Sequence, residues 1–84
     1  MNIEQWVINW FAENADVEKD ELINNIESNY FHEGWIDSFK FMSLIEDIED
    51  KFDIAFDNEE FQNRNFAVLK GLIEIISSKL NGQV

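Results

Sequence analysis

The residues with chemistry to offer gather in one short stretch, His32-Glu33-Gly34-Trp35-Ile36-Asp37-Ser38-Phe39. It holds the chain's single histidine, a carboxylate directly before a hydroxyl, and a glycine three residues before that carboxylate. A Ser-His-Asp hydrolase built from His32, Asp37 and Ser38 is rejected. Such triads are assembled from distant segments, and no Gly-x-Ser-x-Gly elbow is present. His32 is read as a surface loop residue. A calcium loop is rejected because no Asp-x-Asp-x-Asp-Gly run occurs, so no metal site is expected. With no cysteine, disulfides, thiolate catalysis and cysteine metal sites are excluded. Ser38 is read as an attachment point that its neighbours present, a reading that depends on what flanks it, and no catalytic residue is expected.

Presentation requires an element directly behind the serine. The pattern after Ser38 predicts a helix over about 38–52, with Ser38 as N-cap and Asp37 favourable at the positive end of the helix dipole. Gly34 supplies backbone freedom to the approach loop. At 100° per residue, Phe41, Leu44, Ile45, Ile48 and Phe52 share one face, which is assigned to the core. The opposite side gathers Phe39, Met42, Glu46, Glu49, Asp50 and Asp53. A merely solvated face has no need of Phe39 and Met42, so this side reads as a docking surface of apolar anchors with a charged rim.

Three further helices are expected. Ile3, Trp6, Val7, Trp10 and Phe11 recur at helical spacing and predict a core-packed helix over about 2–14. A long loop over 15–37 follows. It holds at most one helical turn, with Leu22 and Ile23 inward, and Tyr30-Phe31 pin it to the core. A short helix is expected at 58–63 with Phe61 inward. The last helix, about 66–80, carries Phe66, Leu69, Ile73, Ile76 and Leu80, with Gly82 as its stop. Gly71 inside it predicts a close helix–helix approach. No useful strand alternation exists. The expected fold is all-α: one domain over 1–84, a small bundle of three main helices plus one short helix.

Composition narrows the partners. Eight Phe and three Trp in 84 residues are enough for a core and argue against disorder. Eighteen acidic against six basic residues give −12, so nucleic acid and anionic membranes are repelled and basic partners attracted. No apolar run is long enough to span a membrane and no signal peptide is evident, which makes the cytoplasm the default compartment.

Gly34-Trp35-Ile36-Asp37-Ser38-Phe39, followed by Leu44-Ile45-Glu46-Asp47-Ile48-Glu49-Asp50-Lys51-Phe52-Asp53-Ile54, resembles the acyl and peptidyl carrier proteins that bear 4′-phosphopantetheine. That family has Gly, two spacers, Asp, Ser and a large apolar residue, then an acidic helix ending in a Phe-Asp or Phe-Gly turn. The likeness covers nearly the whole chain, because helix order, loop placement and length also agree. It implies an acyl-carrier-like bundle whose Ser38 receives phosphopantetheine from coenzyme A through a phosphopantetheinyl transferase. It also implies an acyl or aminoacyl cargo held as a thioester. Free N–H groups and the helix dipole favour the resulting phosphodiester at Ser38. Asp37 and Gly34 belong to the cofactor site, and a cation in the transferase complex is expected to recognise Asp37. The docking face serves the transferase, an adenylating or acyl-loading ligase, and an acyltransferase or synthase, with the carrier acting as a monomer.

Tyr30-Phe31-His32-Glu33-Gly34, the choice of Phe39, and the spacing from Glu60-Phe61 to Phe66 look closer to D-alanyl and discrete aminoacyl carriers than to the fatty-acid type. The aromatic-rich core favours a short or polar cargo that stays outside, with fatty acid, polyketide, aminoacyl and polysaccharide pathways all open. One departure is Ile54-Ala55-Phe56-Asp57, which lacks the proline common at this turn. The alternative from another class is an unmodified carrier-like interaction module in which Ser38 is only an N-cap.

Overall fold

The computed structural model describes residues 2–81. Five α-helices and one 3-10 turn follow in order: α1 (Ile3–Asn14), α2 (Lys19–Asn24), α3 (Ser38–Phe52), α4 (Asn58–Phe61), the turn Arg64–Ala67, and α5 (Leu69–Asn81). Three long helices and shorter helical pieces make an all-α bundle of the acyl-carrier type. Among the described residues the only β pairing is an isolated antiparallel bridge between Asn29 and Val68.

Helix α1 starts where the Asn2 side chain accepts the Gln5 N–H at 3.0 Å, an N-cap bond. Val7, Ile8, Trp10 and Phe11 are buried, so the apolar stripe is one residue wider than the spacing of Trp6, Val7, Trp10 and Phe11 indicates. Trp6 is half-buried and meets Phe52 of α3 edge-on at 5.4 Å. Trp10 buries its ring and donates its indole N–H to Asp47 of α3 at 2.7 Å, satisfying the one polar atom it takes inside.

The connection between α1 and α3 is more structured than one helical turn. Asp16 takes a left-handed conformation (φ 55°), and α2 then lies against α1. Leu22 is fully buried, whereas Ile23 is 51% exposed, which corrects the expectation that both point inward. Neighbouring residues on a helix point 100° apart, and this six-residue helix has a single inner edge. Tyr30 is completely buried and sews the loop to the far end of the chain. Its N–H donates to the Ala67 carbonyl at 3.0 Å and its hydroxyl donates to the Phe66 carbonyl. Burial pushes the phenol's pKa up, holding it neutral.

The last helix begins at Leu69, not 66. Phe66 keeps the apolar period but sits in the 3-10 turn, because Val68 is extended (φ −119°, ψ 147°) to pair with Asn29. Lys70 N–H then bonds the Ile26 carbonyl at 2.9 Å. Gly71 does mark a close approach, but its neighbour is the 3-10 turn: a Cβ there would lie 1.9 Å from the Asn65 carbonyl oxygen. Leu69, Leu72 and Ile76 are fully buried against Phe11, Leu44 and Ile48 in one core. Each such side chain contributes about 1.5–3 kcal/mol by leaving water. Gly82, read as the stop signal, lies outside the described residues.

Candidate functional site

The approach to α3 is a locked turn. Asn29 Oδ1 accepts the N–H groups of Phe31 (2.9 Å) and His32 (3.1 Å), and the Asn29 carbonyl accepts that of Glu33 at 3.0 Å. Gly34 leaves the turn at φ 75°, a conformation that L side chains avoid, although nothing crowds the position of a Cβ. Trp35 and Ile36 then plunge into the core, at 7% and 5% exposure. The pair Asp37-Ser38 follows at the surface, anchored immediately upstream by two buried side chains. His32 is exposed.

Asp37, not Ser38, is the N-cap of α3. Its backbone is extended (φ −109°, ψ −176°) and its Oδ1 accepts the Lys40 N–H at 2.9 Å. Two neighbouring residues can cap, and the extended backbone at Asp37 is what sets its carboxylate over the Lys40 N–H. Ser38 becomes the first helical residue. It is exposed, and among the described residues its hydroxyl is engaged in no hydrogen bond. It therefore stands at the positive end of a fifteen-residue helix with its oxygen free.

Five of the six residues expected on the outer face of α3 are exposed. Phe39 is 84% and Met42 65% exposed, so neither tucks against the preceding loop. Glu46 and Asp50 are open to solvent, and Asp53 ends the helix in a left-handed conformation (φ 55°). Glu49 differs. It is half-buried, and its Oε2 accepts the Phe56 N–H at 3.0 Å. A proline at 56 could not make this bond, which is how the turn at 54–57 is held without one.

Two aromatic residues beside this region stand further out than their sequence pattern indicates. Phe31 is 38% and Phe61 41% exposed, on either side of the half-buried Phe41 at 5.2 and 6.2 Å between ring centroids. Phe61 was expected inside. Helix α4 has only four residues, and its Phe61 ring packs against Phe66 and Phe56, at 5.1 and 6.1 Å between centroids, while staying partly in solvent. The missed signal was the length of α4: Asp57 opens it and Gln62 closes it. Glu60 accepts the Asp57 N–H at 2.7 Å and pairs with Lys79 of α5 at 2.8 Å. Its partial burial raises the pKa, but the Lys79 bond, the Asp57 N–H and the Lys79 charge together bring it below the ordinary value.

No cluster of three or more metal-ligating side chains is found among the described residues, and no helix there is long and apolar enough to cross a membrane. Residues 5–79 match the family described as phosphopantetheine attachment site. The chain belongs to the phosphopantetheine attachment site family. No curated protein and no solved structure gives a significant match. Membership makes this chain a carrier of 4′-phosphopantetheine rather than a catalyst, and members are generally modified by phosphopantetheinyl transferases. The carrier's residues suit that group. A free, exposed hydroxyl at the first helical position accepts a phosphoryl linkage without breaking an internal bond, and the helix dipole there favours its negative charge.

Proposed function

We propose that Ser38 is the attachment residue and that the chain is a single carrier domain for an acyl or aminoacyl unit. The observation that supports this most is the free, exposed hydroxyl directly behind the Asp37 cap, inside the matched span. In the modification, Ser38 Oγ forms a bond to phosphorus, the pyrophosphate P–O bond of coenzyme A breaks, and adenosine 3′,5′-bisphosphate leaves. The hydroxyl proton passes to the transferase. When attached, the group supplies a terminal thiol on which cargo rides as a thioester. Gly34 aims the loop, and Asp37 fixes the helix start while keeping one carboxylate oxygen for a cation of the transferase complex.

Phe39, Met42, Glu46, Asp50 and Asp53 form the docking face for basic patches on the transferase, on an adenylating or acyl-loading ligase, and on an acyltransferase or synthase. Glu49 supports that face by bracing the turn at Phe56. Among carriers, the D-alanyl or discrete aminoacyl type is favoured by Tyr30-Phe31-His32-Glu33-Gly34 and Phe39. The filled core, with Leu44, Ile48, Leu72 and Ile76 fully buried, favours a cargo kept outside it. The carrier acts as a cytoplasmic monomer.

The test is intact-mass measurement after incubation with coenzyme A and a promiscuous phosphopantetheinyl transferase. The expected result is a gain of one phosphopantetheinyl group, absent in Ser38→Ala. An unchanged mass under conditions that modify a control carrier refutes the reading.

A further inference from the structure

Lys40 is the only basic residue in the first three turns of α3, two positions beyond Ser38 on a chain of charge −12. It does not face the serine. Two residues along a helix turn the side chain about 200°, so Lys40 points back toward α1. Its Nζ lies 2.6 Å from the carbonyl oxygen of Asn14, the last residue of α1. That carbonyl is one of the acceptors a helix end leaves unpaired, at the negative end of the dipole. The same residue's backbone N–H is the donor to Asp37. Seven residues on, Asp47 accepts the Trp10 indole N–H. Asn14 in turn donates its side-chain amide to the Trp10 carbonyl at 2.9 Å. The last turn of α1 is thus gripped at two points by one side of α3, and the upper grip is Lys40.

We propose that Lys40 is a positioning residue for modification of Ser38. It ties the turn that carries the serine to the end of α1, and in doing so it turns the one nearby positive charge away from the docking face. The serine turn is held still, and a basic partner meets the apolar anchors and carboxylates of the docking face without that cation among them. This inference rests on Ser38 being the attachment residue.

The tie and the charge pull in opposite directions in Lys40→Met. That variant keeps the aliphatic stem but loses both the charge and the donor. Removing a cation from an acidic substrate raises the rate of encounter with a basic enzyme, an effect that salt screens. Loss of the tie lowers the rate at any salt. The expected result is a fall of about threefold to tenfold in kcat/KM for phosphopantetheinylation, persisting at high salt, the size expected from losing one solvent-exposed hydrogen bond. Lys40→Arg, which can still reach the carbonyl, restores most of it.

Amide hydrogen exchange read on the unmodified protein gives a second measure. Exchange at 38–41 should quicken in Lys40→Met while the buried amides of α5 keep wild-type protection. A kcat/KM equal to or above wild type at high salt, or unchanged exchange at 38–41, overturns the proposal. A wild-type protein that gains no mass fails the attachment reading instead, and the exchange result still stands by itself.

Discussion

At the scale of the residue, Asp37 caps α3 and is proposed to meet a cation of the transferase, and a pair of substitutions separates the two. Asparagine caps a helix about as well as aspartate, so Asp37→Asn should leave thermal stability nearly unchanged, while Asp37→Ala should cost about 1 kcal/mol by denaturant unfolding. Because Asp37→Asn removes the charge but not the cap, slower modification of that variant isolates recognition by a cation. A normal rate would leave Asp37 with capping alone. Tyr30 predicts a pH dependence. Its phenol is held neutral by burial, so its pKa in the fold lies above the unfolded value, near 10. The unfolded chain then releases that proton first as pH rises. Tyr30's contribution is complete below about pH 10 and declines above it, on the way to the folded-state pKa. Urea titrations from pH 8 to 11 should show this decline, and Tyr30→Phe should flatten it while costing about 1 kcal/mol at neutral pH for the bond lost to Phe66.

At the scale of the element, Gly71→Ala offers a prediction of sign. In a free helix alanine would gain about 1 kcal/mol over glycine. Here the added Cβ meets the backbone of Asn65, which cannot yield without moving the 3-10 turn that holds Phe66. Net destabilisation of about 1–3 kcal/mol is expected, measured by chemical unfolding. The short helix α4 should show an acid-sensitive anchor. Lys79 and the Asp57 N–H lower the pKa of Glu60 in the fold, overcoming its burial. That contribution is present above the unfolded carboxylate value and lost as pH falls through the folded one. Lys79→Met should therefore weaken the protein at pH 7, by less than about 1 kcal/mol for a partly exposed pair, and progressively less as acid protonates the carboxylate.

What was legible at this scale divides by range. Helices α1 and α3 follow from apolar spacing, and the approach loop from Gly34. The start of α5 was not readable, because Phe66 keeps the helical period and only the distant partner Asn29 draws Val68 out of the helix. The cap was ambiguous because Asp37 and Ser38 can both serve, and geometry decides between them. The grip of Lys40 on Asn14 spans 26 residues and left no local pattern.

At the scale of the whole molecule, a net charge of −12 predicts how modification responds to salt. Reversing Glu46 and Asp50 to lysine should slow phosphopantetheinylation several-fold at low ionic strength, mainly in KM, and much less at high salt. An equal loss at both would mean that the contacts are short-range instead. The fold should barely notice those changes, since both side chains are exposed and outside any ion pair among the described residues.

The free hydroxyl of Ser38 carries a last consequence. Because the cap belongs to its neighbour, Ser38→Ala should shift stability by no more than about 0.5 kcal/mol. Folding therefore exerts no hold on the serine. A descendant of this chain could lose the residue and remain an intact bundle, so a stable protein of this shape is no testimony that its arm is in use. With the arm on Ser38, as proposed, only the pathway that loads it would police that position.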